Sequence, residues 1–157
     1  MNRYLKQCIE SNMPIIFDYD GVLFEARWYV ERINMRNETD GSLLEAQRRG
    51  QNLYTTPIPM MQDLVKALKN KIFILSHIHN EVEYSAKCKQ VEKYYPSIAK
   101  GRILWARSPE DKIRYMEEIK EKYGAFIYID DTHPALIKFE NYFDDSCKFF
   151  HVSSLYV

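Results

Sequence analysis

The sequence predicts an α/β fold, a parallel sheet with helices packed on both faces, and three observations predict it. Five short apolar runs, rich in β-branched and aromatic residues, alternate with segments of helical periodicity. Two of those runs stop abruptly at paired carboxylates, Asp18/Asp20 and Asp130-Asp131. Strand carboxyl ends are where open α/β sheets bind ligands, so the acidic pairs fall where a site belongs.

The elements follow in order. Arg3 to Glu10 carries Tyr4, Leu5, Cys8 and Ile9 at helical spacing, and the first strand begins at about Pro14. On an extended strand residues i and i+2 share a side, so Asp18 and Asp20 should crowd together unless a cation lies between them. Residues 24–54 are polar and arginine-rich, and read as an insertion of two short helices, the first from Glu25 to Asn34 with Trp28, Val30 and Ile33 on one stripe. A helix entered through Pro57 and Pro59 closes near Asn70, and the second strand, residues 71–77, ends at Ser76-His77. A helix over 80–95, stopped by Pro96, leads to the third strand at 102–106. Ser108-Pro109 opens a helix that Gly124 ends. The fourth strand, 125–129, runs into Asp130-Asp131, and a short helix over 132–141 precedes the fifth strand at 147–152. We find no internal repeat and read residues 1–157 as one domain.

Composition narrows the partners. The 22 basic and 22 acidic residues cancel, which argues against nucleic acid or an anionic membrane surface. Cys8, Cys88 and Cys147 have neither metal-ligand spacing nor an even count for disulfides, as expected in a reducing compartment. No apolar stretch is long enough to span a bilayer, and a cytoplasmic protein is the expectation.

The stretch Asp18-Tyr19-Asp20-Gly21-Val22-Leu23 resembles the first motif of the haloacid dehalogenase-like superfamily, whose most common members are magnesium-dependent phosphatases. Ser76 at the end of the second strand, Lys112 in the helix before the fourth, and Asp130-Asp131 at the end of the fourth follow in that family's order. The resemblance covers roughly residues 14–152, with Val22 in place of a frequent threonine. It implies a three-layer Rossmann-like sheet of strand order 3-2-1-4-5 with a small helical cap at 24–54. The 5'(3')-deoxyribonucleotidase-like members share the Asp-x-Asp-Gly-Val-Leu start and the Asp-Asp pair, although their cap is usually larger.

The resemblance also implies roles. Asp18 would be the nucleophile, and Asp20 the general acid and base whose carbonyl reaches the metal. Asp18, Asp20, Asp130 and Asp131 would hold Mg²⁺, a hard cation suited to oxygen ligands. Ser76, His77 and Lys112 would grip the phosphoryl group of a small phosphorylated substrate, such as a nucleotide. Lys120, Lys122 or Arg107 could fill the place of Lys112 if that helix began elsewhere.

Each residue also has a plainer reading. Ser76 alone is a structural hydroxyl, Lys112 a solvated lysine, and Asp130-Asp131 a helix cap and acidic first turn. His77 and His79 lack a third ligand of zinc spacing, and His133 reads as a residue at a helix start. Arg27, Trp28, Tyr29 and Arg32 read as an amphipathic helix, or else as a lid face that touches the leaving group. Two function classes follow: a Mg²⁺-dependent phosphomonoesterase acting through an aspartyl-phosphate, or a phosphate-ester or protein-binding module on the same scaffold with little turnover.

Overall fold

The computed structural model describes residues 1–26 and 54–156. Five helices, α1 (Arg3–Glu10), α2 (Pro59–Ala67), α3 (Glu81–Tyr94), α4 (Pro109–Tyr123) and α5 (His133–Tyr142), alternate with strands. The strands are β1 (Ile15–Phe17), β2 (Phe24–Ala26), β3 (Tyr54–Pro57), β4 (Ile72–His77), β5 (Ile103–Ala106), β6 (Phe126–Asp130) and β7 (Cys147–His151). The main sheet is parallel throughout, in the order β5-β4-β1-β6-β7. Counting only its own five strands along the chain, that is 3-2-1-4-5.

The labels shift because β2 and β3 form a separate antiparallel ribbon that periodicity does not reveal. Phe24–Ala26 is therefore extended where the sequence reads the start of a helix at Glu25, since pairing with Tyr54–Pro57 overrides a local preference. The remainder of the expected cap, including Arg27, Trp28, Tyr29 and Arg32, lies outside the described residues.

Alternation along the strands builds two cores. Ile15, Phe17, Ile72, Ile74, Ile127 and Ile129 face one side, where Leu5 and Cys8 of α1, Met61 and Val65 of α2, and Val91 of α3 cover them. Ile16, Phe73, Leu75, Phe126 and Tyr128 face the other, against Met116 and Ile119 of α4 and Leu136 and Phe139 of α5. A strand buried on both faces has no polar positions to spare, which is why these runs read as continuously apolar. No helix among the described residues is long and apolar enough to cross a membrane.

Caps fix the helix starts. Asn2, Asn80 and Ser108 accept backbone N–H groups at the starts of α1, α3 and α4, and Pro109 and Pro134 occupy first-turn positions. Gly124, at φ +79°, closes α4.

The turn after β1 is held from below. Tyr19 is buried and stacks on Phe24 with ring centroids 4.3 Å apart, and the Tyr95 hydroxyl donates to the Leu23 carbonyl at 3.0 Å. Replacing Tyr95 by Phe keeps the edge-on contact with Phe24 but removes that buried hydrogen bond. Because the Leu23 carbonyl still accepts from Ile58 N, the expected loss is about 1 kcal/mol, seen as a lower urea midpoint at unchanged m-value.

Candidate active site

The site forms where β1 and β6 end side by side. Phe17 pairs with Ile129, Asp18 N donates to the Ile129 carbonyl at 2.9 Å, and the next residues of the two strands, Asp18 and Asp130, become neighbours. Carboxylate oxygens of Asp18, Asp130 and Asp131 all lie within 4.8 Å of one another. Three such groups so close repel strongly unless cations or protons intervene.

One compensating cation is Lys112. It sits on the first turns of α4, and its Nζ donates to Asp18 Oδ1 at 2.7 Å and to the Tyr128 hydroxyl at 3.1 Å, with Asp130 Oδ2 at 3.9 Å. Strand parity explains the meeting. Asp18 and Asp130 continue the side of Ile16 and Tyr128, which is the face that α4 covers. The alternatives are occupied elsewhere: Lys120 pairs with Asp144, Arg107 with Glu81, and Lys122 lies over the Tyr123 ring.

Hydrogen bonds orient the acids. Asp130 accepts from the Tyr128 hydroxyl at 2.6 Å on one oxygen and from Thr132 N at 2.8 Å on the other. Asp131 accepts from Thr132 Oγ1, and its carbonyl accepts from His151 Nε2 at 2.9 Å. His133, at the start of α5, stacks on His151.

Gly21 is required here for two separate reasons. Its φ is +71°, and a Cβ at that position would stand 2.0 Å from Asp131 Oδ2. A side chain would be strained and would also displace an acid of the site.

Asp18 and Asp20 do not crowd together as extended geometry predicts. β1 ends at Phe17, the chain turns, and the Asp20 carboxylate goes to the opposite helical layer, where Lys87 Nζ of α3 donates to its Oδ2 at 2.8 Å. The acidic triad therefore contains the Asp18 side chain but not that of Asp20.

Ser76 is also drawn to that layer. It continues the side of Ile72 and Ile74, is fully buried, accepts from Lys87 at 3.1 Å and donates to the His77 carbonyl at 3.2 Å. His77 falls on the other face, where its Nε2 donates to the Arg107 carbonyl at 3.0 Å. With Lys112 it lines a cleft of about 330 Å³ between the starts of α4 and α5, walled by Pro109, Pro134, Ala135 and Phe139.

Sequence reasoning missed Lys87, Glu83 and Tyr128, and weighed His79 as a metal ligand alone and not as the partner of Glu83. Glu83, Lys87 and Val91 lie four residues apart on one buried stripe of α3, yet the Glu83/Lys87 pair looks like an ordinary solvated i,i+4 ion pair. The signal was the apolar Val91 in line with it.

Burial dominates the titration of the site. It pushes the Asp18 carboxyl up to about 7, against the pull of Lys112 and with the support of Asp130 and Asp20. Burial likewise raises Asp20 more than Lys87 lowers it, and raises Asp131 beside Asp130. For Lys112 burial acts downward, but Asp18 and Asp130 outweigh it and hold the ammonium above its ordinary value. Burial and the same carboxylates raise Tyr128 well above its ordinary value, so it stays a donor. Burial lowers His77, which favours the neutral ring.

No family model matches the chain, and no curated protein matches it at significant similarity.

A carboxyl raised on folding binds its proton more tightly in the native state, so its ionisation costs stability as pH rises from about 4 to about 7. For metal-free protein, Asp18→Asn should therefore raise the melting temperature by several degrees at pH 8 and by little at pH 4.5, each pKa unit being worth about 1.4 kcal/mol. Thermal melts in EDTA at the two pH values check this.

Proposed function

We propose that the chain is a Mg²⁺-dependent phosphomonoesterase that acts on a small phosphate ester, a nucleotide among the candidates, through an aspartyl-phosphate on Asp18. The observation that carries this reading is a buried Asp18, 6% exposed, held by Lys112 at 2.7 Å within reach of Asp130 and Asp131. The resemblance to haloacid dehalogenase-like phosphatases supports the same assignment. The donor set fits the metal, because it consists of carboxylate oxygens and includes no soft ligand.

Asp18, Asp130 and Asp131, with the Asp20 carbonyl, would hold the ion, which when bound offsets the charge of the phosphate dianion and of the carboxylates around it. Lys112 engages Asp18 Oδ1, which leaves Oδ2 as the attacking oxygen. That oxygen forms a bond to phosphorus as the bond from phosphorus to the leaving oxygen breaks, and Asp20 gives its proton to the departing alkoxide. Asp20, now a carboxylate, takes a proton from water as that water attacks phosphorus. Phosphate leaves, Asp18 is restored, and Asp20 is protonated again. The raised pKa of Asp20 suits a group that must donate and then recover a proton near neutrality. Lys112 stabilises charge on the transferring group.

One observation favours the second reading, a binding module. The Ser76 hydroxyl, expected on a phosphoryl oxygen, is buried on the far face and engaged by Lys87. A panel of phosphate esters assayed with Mg²⁺ and with EDTA separates the two. Phosphate release abolished by EDTA, and reduced at least about a thousandfold in Asp18→Asn, is expected. Saturable ester binding without release would instead establish the module.

A further inference from the structure

Lys87 is the most deeply placed cation described in the chain, with 0% of its surface exposed. Lysines are almost never fully buried unless paired, and this one is surrounded by acceptors. Its ammonium meets Asp20 Oδ2 at 2.8 Å, Glu83 Oε1 at 3.0 Å, the His77 carbonyl at 3.0 Å and Ser76 Oγ at 3.1 Å, and it lies 4.8 Å from the centre of the Tyr19 ring. Glu83 is fixed in turn, its other oxygen accepting from His79 N at 2.7 Å and bonded to His79 Nδ1 at 2.9 Å. The result is a continuous line, His79–Glu83–Lys87–Asp20, from the loop after β4 to the turn after β1.

We propose that Lys87 is the positioning residue for Asp20: its ammonium anchors Oδ2 and so fixes the direction in which the carboxylate faces the leaving group. Oδ1 has no hydrogen-bond partner among the described residues, so Lys87 is the one described side chain that anchors the carboxylate. The proposal rests on the phosphatase reading above and adds a second lysine to it. Lys112 serves the nucleophile from one helical layer, and Lys87 serves the acid from the other. A lysine with no access to solvent cannot meet the substrate, so it acts only through Asp20 and Ser76.

The test exploits leaving-group chemistry. An alkyl phosphate needs a proton on its departing oxygen, whereas p-nitrophenyl phosphate expels a stable anion and needs almost none. Removing Lys87 alone leaves Asp20 and Glu83 uncompensated and could unfold the protein, so the variant is Lys87→Met combined with Glu83→Gln, which removes one charge of each sign. The quantity to read is kcat/KM, which covers the steps through departure of the leaving group.

The expected result is a loss of about 10² in kcat/KM for the alkyl ester with less than about threefold for p-nitrophenyl phosphate, and partial recovery in Lys87→Arg. Equal losses on both esters, or none on either, would overturn the assignment. A crystal structure of the double variant gives a readout independent of turnover: the Asp20 carboxylate should lose its single orientation, and an unchanged Asp20 would refute the proposal. If the parent protein hydrolyses neither ester, the phosphatase reading fails, and the Asp20 orientation alone decides the role of Lys87.

Discussion

Buried carboxylates at the end of a buried sheet are the constraint around which this molecule is built. Asp18, Asp20 and Asp130 stand where the apolar strands stop, and burial disfavours the charge of Asp18 and Asp20. The fold answers with two lysines from opposite directions. Lys112 comes from α4 on one face, and Lys87 from α3 on the other. The sheet order makes this possible, because β1 lies at the centre with β4 and β6 beside it, so helices of both layers reach its end. Asp18 and Asp20 are separated by one residue yet bond different lysines.

That separation needs a sharp turn, and the residues between 18 and 24 supply it. Tyr19 enters the core and stacks on Phe24, Gly21 takes a left-handed conformation against Asp131, and Val22 and Leu23 are buried. The β2–β3 ribbon then carries the chain out of the turn and back to α2. Each part of the motif thus has a structural duty besides any chemical one. Gly21 in particular ties the first acidic pair to the second, since its bare Cα lets Asp131 approach.

The sheet and helices were legible in the sequence because they depend on local pattern. Alternation in Ile15-Ile16-Phe17 and Phe126-Ile127-Tyr128-Ile129 shows as unbroken apolar runs, and Asn80, Ser108 and Gly124 mark helix ends chemically. Asp18, Lys112, Asp130 and Asp131 were legible too, since a strand's end or a helix's first turns fixes where each stands. The ribbon was not, because its partners are separated by residues 27–53 and neither has a strong strand pattern. Lys87 was hidden for another reason. Its burial depends on its reaching the end of β4, and only the apolar Val91 in line with the Glu83/Lys87 pair marks that stripe as inward. Lys87 also holds Asp20 and Ser76, a link that the sequence does not display.

The central claim is that Asp18, Lys112, Asp130 and Asp131 form one phosphoryl-transfer centre. Beryllofluoride mimics a phosphoryl group on a carboxylate, so a crystal structure of the protein with Mg²⁺ and beryllofluoride tests the claim most directly. The account predicts beryllium bonded to Asp18, Lys112 against its fluorides, and the ion between Asp18, Asp130 and Asp131. Beryllofluoride absent from Asp18 at saturating concentration, or a metal ion bound away from these carboxylates, would contradict it.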